Sequence, residues 1–243
     1  MTDLSYETPR PGRRRRVLLV LLGLLAAWLA WEALTWPDVA GLAHAHPKTT
    51  AFIEKYRGWG ILGAKRKVEW TWVPYSRISS SLKRAVIVSE DMRFFSHNGF
   101  DDAEIRAALQ DAWEEKTLPR GASTISQQVA KNLWLSGSYN PLRKVKEAIL
   151  TKQLEKNLPK RRILEIYLNV AEFGEGIYGA EAAARHYYGK SAAGLTERQA
   201  AELASALPRP RSWHPGVKSR AYQRDVRITL RRMAIARWVA REI

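Results

Sequence analysis

Two clusters of residues in this chain have the types and spacing of a catalytic pair. The first, Glu90-Asp91-Met92-Arg93-Phe94-Phe95-Ser96-His97-Asn98-Gly99, sets adjacent acids at the end of the apolar run Ala85-Val86-Ile87-Val88. A carboxylate there loses part of its hydration. That lifts its proton affinity toward the working pH, as a general base or acid requires. The same placement also describes an acid that merely ends a helix before a turn. The second cluster runs from Gly121 through Ser123-Thr124 and Gln127-Gln128 to Lys131-Asn132. Thr124, Gln128 and Lys131 fall at i, i+4 and i+7, on one helix face, and Gln127 and Lys131 also share a side. A helix start with these groups suits a phosphate, because free N–H groups and the helix dipole meet there. The plainer reading is a solvated polar face. A third cluster, Arg143-Lys144-Val145-Lys146-Glu147, puts Arg143 and Glu147 one helical turn apart. At the least this is a helix ion pair of about 0.3–0.5 kcal/mol.

The elements that must position these residues read as helices. Ser79-Ser80-Ser81 starts one that runs through Ser89; its Ser80-Ser81-Leu82-Lys83 spells the S-x-x-K of penicillin-binding nucleophiles, but no K-T-G or S-D-N follows. Asp101 or Asp102 caps the next, with Ile105, Ala108, Leu109 and Ala112 as its apolar face. Ser123 or Thr124 starts a third. Pro141 opens a fourth, with Val145, Ala148, Ile149 and Leu154 inward. Pro159 ends it, and a fifth covers Arg162 to about Ala171. Thr196-Glu197-Arg198-Gln199 is a capping box for a helix ending at Pro208. The last helix runs from about Ser219 to the end. Val68 to Val73 is β-prone and reads as a short strand or extended arm. The fold class is therefore mainly α.

The chain has 243 residues, a net charge of +16 and no cysteine. The length suits one domain, with room for a small second lobe, and the absence of cysteine excludes disulfides and thiolate metal sites. The charge directs the chain toward polyanions. Arg13 to Arg16 precede an uncharged, Leu-rich run from Val17 to Trp31, which continues past Glu32 to Trp36. That length matches the roughly 20 residues a bilayer core needs. The basic residues keep the N-terminus in the cytoplasm and send the rest across. The reading favoured is an uncleaved single-pass anchor in the inner (cytoplasmic) membrane, with the bulk of the chain on its outer face. The alternative is a signal peptide cut near Ala43-His44-Ala45. The organisation expected is a basic tail over 1–16, an anchor over 17–36, a linker over 37–49 and a catalytic domain over 50–243. The linker's His44 and His46 read as surface residues rather than metal ligands.

The first two clusters resemble the peptidoglycan glycosyltransferases, glycosyltransferase family 51. Its first motif is E-D-x-x-F-x-x-H-x-G and its second G-x-S-T-x-x-Q-Q-x-x-K-N. Its third, R-K-x-x-E, matches Arg143 to Glu147. The resemblance extends over about residues 70 to 215, including Ile163 to Asn169, Phe173 to Gly179 and Leu195 to Pro208. It implies a lysozyme-like helical lobe with a smaller membrane-facing lobe. The activity implied is inverting transfer of a growing chain from a polyprenyl pyrophosphate to the sugar hydroxyl of lipid II, making β-1,4 links. Glu90 would take the hydroxyl proton. Asp91 and Arg93 would orient it or tune its charge, and His97 would shape the turn or act as a second base. Ser123, Thr124, Gln127, Gln128, Lys131, Asn132, Arg143 and Lys144 would meet the substrate and its pyrophosphate. Glu147 would be the second essential acid, positioning the donor directly or through a divalent cation, magnesium or manganese. Asn169 and Glu172 are further cleft candidates. The partners implied are lipid II, nascent glycan strands, membrane lipids and other wall-synthesis proteins, with no nucleic acid. Two positions depart from the family pattern. No basic residue stands near Ser138-Tyr139, and Gln199 replaces a glutamate.

Two rivals share parts of this pattern. A wall-cleaving lysozyme or lytic transglycosylase has the same lobe and one acid, but less use for Lys131, Arg143 and an anchor. A membrane-tethered polyanion binder would use the arginines of the last helix, Arg220, Arg224, Arg227 and Arg231, and its natural partner would be anionic lipid.

Overall fold

The computed structural model describes residues 12–58, 66–116, 123–135 and 141–243. It is mostly helical, and it divides into two compact units, one ending at Asp38 and one spanning Val39–Ile243. The first unit holds α1 (Arg13–Leu34). Within Arg14–Leu34 an 18-residue window has a mean hydropathy of 2.2, and no part of that window is buried. At 1.5 Å per residue this span is about 32 Å long, the thickness of a bilayer core. An apolar helix exposed on every side suits lipid and suggests a membrane anchor. It stops two residues short of the expected Trp36, capped by Thr35, whose hydroxyl donates to the Trp31 carbonyl.

The larger unit begins inside the stretch expected as a linker. Val39 and Leu42 are buried in it, and His46 stacks on Trp72. Its helices are α2 (Ala51–Gly58), α3 (Ser80–Glu90), α4 (Asp102–Glu115), α5 (Ile125–Trp134), α6 (Pro141–Asn157), α7 (Lys160–Val170), α8 (Ala180–Tyr188), α9 (Glu197–Ala206), α10 (Arg220–Ile235) and α11 (Val239–Glu242). Four caps fall where the sequence predicts. Ser79 accepts from the Leu82 amide, Asp101 from Glu104, Thr124 from Gln127 and Thr196 from Gln199. Gln199 closes the last of these by accepting from the Thr196 amide at 3.1 Å. A glutamine caps as a glutamate would, so its departure from the family pattern falls on helix capping and leaves the cleft alone.

Two groups of helices build the core. In one, α3 packs on α9 and α10; in the other, α5 packs on α6, α7 and α2. Three short strands tie them: β1 (Glu69–Trp70) runs parallel to β3 (Ile177–Tyr178), which pairs antiparallel with β2 (Glu172–Gly174). The expected strand over Val68 to Val73 shrinks to two residues because Asn169 takes the backbone beyond. Its side chain accepts from the Val73 amide and donates to the Val73 carbonyl, both at 2.9 Å. Asn169 is fully buried by this work and is not a cleft residue.

The inward face of α6 also differs from expectation. Val145 and Ile149 are 57% and 46% exposed, and the buried stripe is Glu147, Leu150, Thr151 and Leu154. Leu154 is inward as expected, but the stripe keeps the i, i+3, i+4, i+7 spacing around a carboxylate, so a purely hydrophobic pattern misplaces Val145 and Ile149. Leu109 on α4 is likewise exposed while Ala108 is buried. The last helix breaks at Ala236 before α11.

Candidate active site

Glu90 is the last residue of α3, and the loop after it is fixed by the rest of its motif. Asp91 is buried. Its carboxylate accepts from His97 Nε2 at 3.0 and 3.1 Å and from the Ile125 amide at 3.0 Å. His97 Nδ1 accepts from the Gly99 amide at 3.1 Å, which places the ring proton on Nε2. Both ring nitrogens are thus committed, and His97 shapes the turn rather than acting as a base. Gly99 has φ +94° and a Cβ there would lie 2.8 Å from Thr151 Cγ2, so only glycine fits. The Gly99 carbonyl accepts from the Thr124 hydroxyl at 2.7 Å. The first motif is therefore a clamp that presses the end of α3 onto the start of α5.

The side chain left over is Glu90. Its Oε2 accepts from Gln128 Nε2 at 2.7 Å, and Gln128 Oε1 accepts from the Tyr167 hydroxyl at 3.0 Å. Tyr167 is buried, and burial, then Glu90 and Asp91, push its phenol far above the ordinary range. It remains a donor and so fixes which way the Gln128 amide faces. Burial raises the Glu90 carboxyl above its usual range, against the lowering pull of Gln128 and Lys131, with Asp225 and Asp91 adding to the rise. A raised proton affinity is what a general base needs.

Two cavities flank this point. One, of about 410 Å³, is lined by Glu90, Asp91, Arg93, Asp101, Glu104, Ser123, Thr124 and Arg232. The other, of about 310 Å³, is lined by Phe52, Ser123, Gln127, Gln128, Lys131, Arg143, Lys144 and Glu147. Ser123 borders both. Glu147 is 2% exposed and pairs with Arg143 Nη1 at 3.4 Å and with Lys144. Burial pulls the Lys131 ammonium below the usual lysine range; Glu147 and Glu90 hold it up, while Lys144 and Arg143 push it down. Three cations around one carboxylate leave the cavity positive and fit an anion. They do not fit a protein-held divalent metal. The Glu147 oxygens are already engaged by cations, and among the described residues no three metal-ligating side chains converge.

Of the residues singled out from sequence, Glu90, Gln128, Lys131, Arg143, Lys144, Glu147 and Ser123 come together around the two adjoining cavities. Thr124 and Gln127 also line them, but their side chains are spent on capping α5. Arg93 falls on the Glu90 side, 3.4 Å from Asp101, and does not join the cationic cavity. Asn132 and Glu172 border a third cavity that also includes Gln128 and Lys131. Gly121 and Ser138-Tyr139 lie outside the described residues. Two contributors escaped the sequence reading. Tyr167 looks like one more apolar position of α7, and only its phenol marked it as able to reach a polar partner. Arg232 sits among surface arginines of α10, yet it donates to the Val88 carbonyl at 3.3 Å and lines the Glu90 cavity.

Comparison with known proteins agrees with this geometry. The family model described as Transglycosylase matches residues 60–234. The chain is 48% identical to the biosynthetic peptidoglycan transglycosylase of Thiobacillus denitrificans over 91% of this chain and 93% of that protein. It is 47% identical to the protein of that name from Bordetella avium, over 90% and 93%. A third relative of the same name, from Methylobacillus flagellatus, is 43% identical over 90% and 93%. With its motif residues gathered at one cleft and these matches spanning nearly its whole length, the chain belongs to the transglycosylase family.

Proposed function

We propose that this protein is a glycosyltransferase that polymerises the glycan strands of peptidoglycan in bacterial cell wall biosynthesis, with Glu90 as its base. The observation that carries the reading is the hydrogen bond from Gln128 to Glu90 beside a cavity lined by Lys131, Arg143 and Lys144. A desolvated acid next to a cationic hole serves one reaction class well: attack by a hydroxyl with departure of an anionic leaving group.

In the reaction, the sugar hydroxyl of lipid II enters on the Glu90 side, where Arg93 and Arg232 offer positive charge to its own pyrophosphate. Glu90 takes the hydroxyl proton as the oxygen attacks the anomeric carbon of the growing chain. The bond from that carbon to the pyrophosphate oxygen breaks, and the electron pair leaves with the pyrophosphate. Lys131, Arg143 and Lys144 balance the new charge, and Glu147 holds the last two in place. Attack from the face opposite the leaving group inverts an α-linked donor to a β-1,4 link. The apolar helix α1 would keep the enzyme at the membrane that carries its substrates. Arg13 to Arg16 argue for an outward-facing catalytic unit, where other wall-synthesis proteins are its natural partners.

The test is incubation of the full-length protein with purified lipid-linked disaccharide-peptide. Glycan polymer with the wild type and none with Glu90→Gln supports the reading. Release of fragments from finished wall, without polymer, would support a lytic enzyme instead.

A further inference from the structure

Helix α2 precedes residues 60–234, where the family match lies. Its Phe52 nevertheless lines the cationic cavity beside Lys131 and Glu147. Phe52 also lines a third cavity, of about 420 Å³, which passes Gln128, Lys131 and Asn132 and continues to Tyr167, Glu172 and the segment 207–212. Phe52, Gln128 and Lys131 belong to both. The ring therefore stands where a positively charged hollow opens into a mixed one.

Phe52 is held there by its neighbours. Thr50 is buried and starts α2, with its hydroxyl accepting from the Ile53 amide at 3.1 Å. Ile53 and Tyr56 bury themselves with Tyr178, and Phe52 packs partly against that cluster. Ile53 and Tyr56 supply the core contact, and Phe52 is left with a fixed but half-open ring. The third cavity has the lining that a carbohydrate needs. Pro208, Pro210 and the Phe52 ring offer apolar surface for the C–H faces of a sugar, while Asn132 and the Glu172–Arg211 ion pair, 3.1 Å apart, present polar groups to its edges.

We propose that Phe52 is a substrate-positioning residue whose ring supports a sugar of the donor strand, where the pyrophosphate in the cationic cavity gives way to the glycan in the neighbouring one. This rests on the polymerase reading. It makes α2, which precedes the residues that the family model matches, part of the active site. A platform of this kind fixes the anomeric carbon relative to Lys131 and Glu90, and small errors of placement there are costly to rate.

The experiment compares Phe52→Leu, which keeps bulk and loses the ring, with Phe52→Tyr, which keeps the ring. Full-length protein in detergent is used for two readouts. Calorimetry with soluble, uncrosslinked glycan-strand fragments measures strand binding. Steady-state kinetics with lipid-linked disaccharide-peptide measures KM, kcat and product length. The expected result is that Phe52→Leu weakens fragment binding and raises KM by roughly tenfold, shortens the product, and leaves the melting temperature within a few degrees of wild type. Phe52→Tyr restores all three activity measures. Wild-type behaviour of Phe52→Leu overturns the proposal, as does equal impairment of both variants with a parallel fall in melting temperature. Absence of polymer from the wild type would count against the polymerase reading alone, since fragment binding still decides the role of Phe52.

Discussion

The Glu90 cavity and the Lys131 cavity adjoin at Ser123, yet their charged groups are held in different ways. Glu90 is held by neutral groups, the Gln128 amide and behind it the Tyr167 phenol, in surroundings that make its charge costly. Lys131 is desolvated as well, but it lies among charges, with Glu147 and Glu90 favouring its ammonium and Lys144 and Arg143 opposing it. A base needs a raised proton affinity, which full exposure or a direct ion pair would remove. A hole for a leaving diphosphate needs concentrated positive charge, which would hold a carboxylate ionised and weakly basic. In the proposed reaction the two environments must touch, but they cannot merge. Gln128 is the divider: it bonds to Glu90 and lines the cationic cavity.

The sharpest way to break this comparison is Glu90→Gln. We expect kcat to fall by about 10²–10⁴-fold, the usual share of a general base. Stability should move the other way. The folded-state affinity of Glu90 for its proton is raised, so its buried charge costs stability as pH climbs above the ordinary glutamate value of 4.5. The glutamine variant should therefore melt at or above the wild-type temperature near neutral pH, with the difference vanishing below about pH 4. Thermal scans at two pH values check this; a variant that melts well below wild type at neutral pH would make Glu90 a structural residue.

Lys131→Ala should cost about 10²–10³-fold in kcat/KM, as loss of one preorganised donor does, with little change in melting temperature. The pH profile separates the two cavities further. Activity should fall on the acid side as Glu90 is protonated, above the pH of an ordinary glutamate. It should fall on the alkaline side as Lys131 loses its proton, below the usual 10.5. In Lys131→Arg the alkaline limb should move up while the acid limb stays. Movement of both limbs together would show that the cavities are not separately tuned.

Smaller effects test the supports. Glu147→Ala should lower both donor use and melting temperature. The stability loss should be less than the roughly 3–5 kcal/mol of a fully buried pair, because Lys144 is 54% exposed and can rehydrate. Tyr167→Phe should lower kcat by about three- to tenfold, the worth of one hydrogen bond. It frees the Gln128 amide to turn, so the acid limb should shift as well, which a purely structural loss would not produce.

Much of this was legible before any coordinates. The caps at Ser79, Asp101, Thr124 and Thr196 were readable because capping is local: a hydroxyl or carboxylate and an amide three residues on suffice. The apolar helix α1 was readable because the bilayer sets a length and tolerates few charges. The three motifs name side chains that line two adjoining cavities. Their division of labour was less visible. Thr124, Gln127 and Asp91 read as candidates for substrate contact or charge tuning; Asp91 and Thr124 tie the end of α3 and the loop after it to the start of α5, and Gln127 caps that helix, while His97 shapes the turn as one of its two readings had it. The inward face of α6 was misread because its buried stripe contains Glu147, which a search for apolar spacing discards.

The chain by itself determined which residues could act, where most helices begin, and that an acid and a set of cations would serve one reaction. Those are properties of side-chain chemistry and of contacts within a few residues. Only the tertiary structure decided that Tyr167, 39 residues from Gln128, fixes its amide, that Arg232 enters the cleft from α10, and that Phe52 reaches it from α2. Each depends on how two distant helices pack. Packing is set by the summed shape of many side chains, and no single residue type or spacing carries it.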